Sequence, residues 1–351
     1  MASAPETIAQ HVLRALMALS VVFGAAQLGI YLAEEGIAGF AEPWRAVVYG
    51  MLVAAIAADF AAIVVLDRKR KVHAARMVAR GLVALLLLAF VFDVLFVAST
   101  PLSSVLIFQF VCTMVYQMAN DPNLDRHAPR EGGFRGAIPL SFFNLFWIFT
   151  ICSVLGLIGE TLVSLVRDGH WESRAGFVFG PFSPIYGVGA VLITAALNLF
   201  HDRNPVALFL IGGTVGAVFE YFAGWFFETA FGIVAWSYEG HPFNFHGHTS
   251  LPMAAVWGLI GLGWMKLALP YVMLFIDRIP LRMRVPLTAV GAVLLLTDAI
   301  LTVVALDCWY QRMLGNPIST PWQELCAQHF DDEFMRKRFE TMSMWPVLAD
   351  R

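Results

Sequence analysis

Residues 139–166 read PLSFFNLFWIFTICSVLGLIGETLVSLV, and the one charged side chain in the run is Glu160. About 20 mainly apolar residues suffice for an α-helix to cross the hydrocarbon of a bilayer. Every backbone N–H and C=O must then be satisfied within the segment, which a helix does by itself. Comparable runs lie on either side, near 11–33, 46–66, 80–99, 102–119, 183–200, 205–235, 251–276 and 286–307. The fold expected is all-α: a polytopic transmembrane helix bundle of about nine spans. Composition agrees, with 59 % hydrophobic and 14 % charged residues and a mean hydropathy of +0.70, whereas a soluble domain is about a quarter charged. The first run is too long for the apolar core of a cleaved signal peptide and reads as a retained anchor. No basic domain is present, and nucleic acid is not an expected partner.

Orientation follows from Lys and Arg in the short loops. The second loop (Arg68, Lys69, Arg70, Lys71, Arg76, Arg80), the fourth (Arg126, Arg130, Arg135), the sixth (His201-Asp202-Arg203) and the eighth (Arg278, Arg282, Arg284) are basic. All are even-numbered and share a side, read as the cytoplasm. The first loop carries Glu34, Glu35 and Glu42 against Arg45, which suits the opposite face. The N-terminus is then cytoplasmic and the tail lies outside. Four regions are expected: 1–120, a four-helix membrane part; 121–138, a polar cytoplasmic linker; 139–310, a five-helix part rich in Gly, Pro and Trp; and 311–351, a polar tail forming a short helical cap or a flexible end.

Four cysteines are too few for a disulfide scaffold. Cys112 and Cys152 read as packing residues, and whether Cys308 and Cys326 pair stays open. Charges inside apolar spans each cost roughly 2.5–3.5 kcal/mol on insertion scales unless paired or hydrated, and mark candidate functional positions. They are Asp59, Asp93, Glu160, Glu220, Glu228 and Asp298. Glu220 and Glu228 fall about 80° apart around one helix, so both can face one cavity.

The stretch RAGFVFGPFSPIYGVG (174–189) holds two prolines and four glycines in an apolar setting, which no continuous helix accommodates. It reads either as a broken, re-entrant helix entrance of the kind that lines binding sites or as a plain interfacial loop. The segment WSYEGHPFNFHGH (236–248) has three histidines, yet no metal-ligand spacing. A turn rich in Trp and Tyr at headgroup level is the better reading, and no metal is assigned. Gly212-x-x-x-Gly216 and Gly258-x-x-Gly261 read as helix-packing positions.

These motifs together resemble a bacterial membrane family named Putative ABC-transporter type IV, or CmpB-like. The resemblance runs over about 139–280 and rests on an intramembrane Glu160, the string from Arg174 to Gly189, two further glutamates, and Trp236-x-Tyr238-x(5)-Asn244-x-x-Gly247. It places the family's characteristic positions on Glu160, Arg174, Tyr186, Glu220, Glu228, Trp236, Tyr238 and Asn244. Gly180, Pro181, Pro184, Gly187 and Gly247 take a structural part. Ser237 departs from the family, which often has Asp there. The resemblance implies a transport protein of the bacterial cytoplasmic (inner) membrane. No Gly-x(4)-Gly-Lys-Ser/Thr nucleotide motif occurs, so an ATPase, if one is used, is a separate subunit. Two functions stay open: a permease or lipid/small-solute transporter with a carboxylate–arginine site near the outer face, and an intramembrane enzyme acting on a lipid or lipid-linked substrate. Membrane lipids are expected partners, and no sequence feature calls for a cofactor.

Overall fold

The computed structural model describes residues 100–119, 137–169, 171, 173–231, 233–318, 321–340 and 343–344, with scattered positions between 14 and 86. Each long apolar run among them is helical: α1 (Thr100–Ala119), α2 (Phe142–Asp168), α3 (Pro184–Leu199), α4 (Pro205–Phe231), α5 (Leu251–Ile276) and α6 (Leu281–Met313). Two short helices follow, α7 (Pro321–His329) and α8 (Asp332–Arg338). The strands are pairs of residues only, β1 (Ile233–Val234) with β4 (Ser343–Met344) and β2 (Asn244–Phe245) with β3 (Thr249–Ser250), both antiparallel.

Four of these helices, α2, α4, α5 and α6, are long and apolar enough to cross a membrane. Only 28–33 % of each apolar window is buried within the protein. The remaining apolar surface needs a hydrocarbon environment, because water penalises it at about 25 cal/mol per Å². The protein is therefore membrane-embedded. Most of the expected spans at 46–66 and 80–99, about a third of 11–33, the basic second and fourth loops, the linker to Gly136, Asp59 and Asp93 lie outside the described residues. The nine-span count and the N-terminal orientation rest in part on these segments.

Two expected boundaries move. The seventh run ends at Phe231 rather than 235, because Ile233 and Val234 pair with the chain's C-terminal strand. The ninth begins at Leu281 rather than 286, so Arg282 and Arg284 belong to α6 and not to a loop. Arg284 is only 1 % exposed and its guanidinium lies 4.9 Å from the Phe143 ring centroid, a cation–π contact that shelters the charge.

The chain divides into two units. One comprises Met1–Arg126, Ser141–Phe143 and Leu281–Leu296; the other comprises His127–Leu140, Asn144–Pro280 and Thr297–Arg351 and carries every feature described below. Within the second, α4 and α5 pack closely along their small residues, with Gly212 against Gly261. Helix starts are capped: Asn204 accepts the Ala207 N–H at 2.8 Å before α4, and Ser250 accepts that of Met253 at 3.3 Å before α5. Hydroxyls on the helices turn back on their own carbonyls, as Thr150, Thr194 and Thr214 do, which leaves no bare donor toward lipid.

The glycine- and proline-rich stretch begins as irregular backbone, and its peptide groups are paired within the protein. From α6, the Asp298 carboxylate accepts the Phe179 N–H at 3.0 Å and the Thr302 hydroxyl accepts that of Val178 at 2.9 Å. From α8, Arg338 Nε donates to Phe177 O at 2.8 Å and Nη2 donates to Gly180 O. Gly176 N–H bonds to Phe182 O at 2.9 Å, and Ser183 N–H to Ser153 O at 3.0 Å. Pro184 then supplies the first turn of α3, where its missing N–H costs nothing. The tail therefore forms a helical cap over this loop, with Phe330 edge-on to Phe179 at 6.0 Å.

Candidate functional site

Two carboxylates, each held by tyrosine, face one cavity of about 720 Å³ in the second unit. Glu160 comes from α2. Its Oε2 accepts the Tyr186 hydroxyl of α3 at 2.6 Å, and its Oε1 meets Arg174 Nη1 at 3.2 Å. The same guanidinium donates through Nε and Nη2 to Ser164 Oγ, at 3.1 and 2.8 Å. Gly156 lies one turn before Glu160, and the Tyr186 ring occupies the space a Cβ would need. That close approach lets the phenol reach the carboxylate.

Glu220 comes from α4 and is 6 % exposed. Tyr238 donates to its Oε1 at 2.8 Å and Thr249 to its Oε2 at 2.7 Å. Both partners stand on the loop between α4 and α5. Tyr238 N–H bonds to Gly247 O at 2.8 Å, and Trp236 Nε1 to His248 O at 2.9 Å, so that loop is folded on itself. Asn244 Oδ1 accepts the Gly247 N–H at 3.2 Å, and Gly247 takes a φ of +73° that a side chain would oppose. Burial, then the bond to Glu220, push the Tyr238 phenol above its ordinary pKa. A phenol whose folded pKa is raised stays protonated below that pKa and loses its contribution only as pH climbs through it. The donor to Glu220 therefore persists across the neutral range.

Of the residues singled out in the sequence as site positions, Glu160, Arg174, Pro184, Tyr186, Glu220, Trp236 and Tyr238 line this cavity. Arg174 and Glu220 thus line one cavity. Glu228 does not reach it; its Oε2 lies 3.4 Å from His248 Nε2. Asn244 is exposed and holds the loop, Pro184 starts α3, and Gly187 packs on Ser153 and Phe149. Gly180 offers its carbonyl to Arg338, and Pro181 follows it on an exposed turn. His246 Nδ1 contacts the Tyr221 hydroxyl at 3.0 Å. Among the described residues no cluster of His, Cys, Asp or Glu has a metal-holding arrangement. Cys308 and Cys326 are both buried, free thiols in hydrogen-bond contact.

Sequence reasoning missed one wall of the cavity. Met253, Trp257, Ile260, Trp264 and Ala268 all line it from α5, and their spacing of 4, 3, 4 and 4 is a helical stripe visible in the sequence. It was masked by apolar residues on every other face of that helix. Trp264 belongs to a π-helical turn, Trp264–Ala268, and its Nε1 donates to Thr194 Oγ1 at 2.7 Å. Such turns frequently occur at functional sites.

Residues 147–303 match the model of the family described as Putative ABC-transporter type IV. That stretch contains every residue lining the cavity. Together with the apolar helices, the family match fits a membrane transporter or permease. It leaves out Arg338 and the capping tail. Comparison with curated proteins and with solved structures found no significant match.

The tyrosine–carboxylate contacts can be weighed directly. Tyr186→Phe removes one hydroxyl from Glu160 and is expected to cost about 1–2 kcal/mol. Glu160→Gln also strips Arg174 of its counter-charge and should cost more, roughly 2–3 kcal/mol, held down because the Glu160 side chain is 33 % exposed. Thermal unfolding of the two variants in detergent gives the order; a milder effect for Glu160→Gln would contradict the pairing.

Proposed function

We propose that this protein is a permease or a lipid/small-solute transporter of the bacterial inner membrane, with the cavity between α2, α3, α4 and α5 as its substrate site. The observation that carries the reading is the cavity itself. It is some 720 Å³ in volume, walled mainly by apolar side chains, and provided with a few fixed polar groups. Glu160–Arg174 and Glu220–Tyr238 are those groups. The loop 236–250 that delivers Tyr238 and Thr249 lies between α4 and α5, on the face that the basic even-numbered loops assign to the outside. The site is accordingly read as opening toward the outer half of the bilayer. The family match supports transport; an ATPase supplied by another chain, and lipids as neighbours or cargo, are compatible with it.

The test is sidedness of access. Ile185, which lines the cavity, is changed to Cys in a chain whose native cysteines are replaced, and sealed vesicles of each orientation are treated with a membrane-impermeant maleimide. Labelling from both faces is the transporter's result. Labelling from one face only would overturn the reading and favour a one-sided pocket, as in an enzyme on a lipid substrate.

A further inference from the structure

The charge of the cavity is unbalanced. Among the described residues that line it, Glu160 and Glu220 are the acids and Arg174 is the cation. Arg174 is already committed through all three nitrogens, to Glu160 and to Ser164. Glu160 already balances its charge. Glu220 is left with neutral donors, the Tyr238 and Thr249 hydroxyls and the Trp257 indole, which bring no positive charge. A buried carboxylate without a counter-charge is costly, and a cation placed beside it recovers that cost.

The walls point the same way. Trp236, Trp257, Trp264, Phe219 and Phe227 line the same cavity as Glu220. Aromatic faces attract cations, tryptophan most strongly, by about 0.5–2 kcal/mol or more once water is excluded. The buried Trp257 indole stands beside Glu220 with its N–H toward that carboxylate.

We infer that the cavity takes an organic cation: an ammonium-type head against Glu220 and an apolar body along the aromatic walls. The inference rests on the transport reading of the same site and names its substrate class. It requires no covalent step.

Tetraphenylphosphonium and tetraphenylborate have the same shape and opposite charge, and both lack polar groups. Their equilibrium binding to the purified full chain in an uncharged detergent isolates the charge preference. The expected result is saturable binding of tetraphenylphosphonium at least tenfold tighter than of tetraphenylborate. Glu220→Gln should weaken the phosphonium at least tenfold while eluting as a single species, and Glu324→Gln, on the exposed face of α7, should leave it unchanged. Equal binding, preference for the borate, no binding of either ion, or an inert Glu220→Gln would each overturn the inference. The comparison of the two ions on the native chain needs no variant to fold. If the ions fail while Ile185→Cys labels from both faces, the transport reading stands and only the ligand class falls.

Discussion

Arg338→Ala is expected to destabilise the protein by about 2–4 kcal/mol and to expose the loop 173–183 to protease. Arg338 reaches two carbonyls of that loop, Phe177 O and Gly180 O, from a helix that is distant in sequence. Hydrogen bonds from a charged donor are worth about 1.5–3 kcal/mol each, and the loop has no regular ladder to replace them. Asp298 and Thr302 hold the N–H groups of Phe179 and Val178 from the other direction. Removal of either clamp releases the same segment, so Arg338→Ala and Asp298→Ala should add to less than their sum. Arg338→Lys restores the charge without the fork that spans two acceptors, and should recover only part of the loss. The check is a thermal unfolding series with limited proteolysis; an unchanged midpoint and an uncut loop for Arg338→Ala would show that the tail contributes no hold.

Gly216→Val is expected to cost roughly 1–3 kcal/mol from overpacking alone and to disturb the cavity as well. A Cβ at Gly216 of α4 would occupy the place of the Trp257 side chain on α5. Trp257 lines the cavity, so it must swing away or α4 and α5 must separate. Gly216→Ala gives the same direction at smaller size. Combining Gly216→Ala with Trp257→Ala should recover part of the loss, since the second change vacates the contested space. Tryptophan emission and the unfolding midpoint report the two effects. Additive destabilisation in the double variant would contradict the close approach.

The helices and much of the cavity were legible because the bilayer imposes simple rules. A 28-residue apolar run around Glu160 permits little but a helix, and an acid inside such a run needs a partner. That logic singled out Glu160 and Glu220, while Arg174, Tyr186 and Tyr238 came with the family resemblance; all five line the cavity. It left Glu228 undecided, since 80° on a helix is compatible with sharing a face or not; in the structure His248 takes it elsewhere. Ser164 was invisible because a hydroxyl in an apolar helix satisfies itself on its own backbone as readily as it serves a site, and Thr249 because nothing in its loop ties it to an acid 29 residues earlier. The aromatic stripe of α5 was hidden by the apolar residues around it. Arg338 was missed for another reason: its partners are backbone carbonyls, which have no sequence signature, 161 and 158 residues away. The unwound loop itself was announced by its glycines and prolines. What held it could be seen only in three dimensions.

The central claim is that Glu160–Arg174–Tyr186 and Glu220–Tyr238 border an occupied site rather than a closed structural network. An electron cryo-microscopy map of the full chain extracted in native lipid tests it most directly. The account predicts non-protein density in the cavity, against Glu220 and the indole of Trp257, with the surrounding side chains held open. A collapsed, dry interior in which Glu160, Arg174, Glu220 and the tyrosines close on one another with no space between them would contradict it.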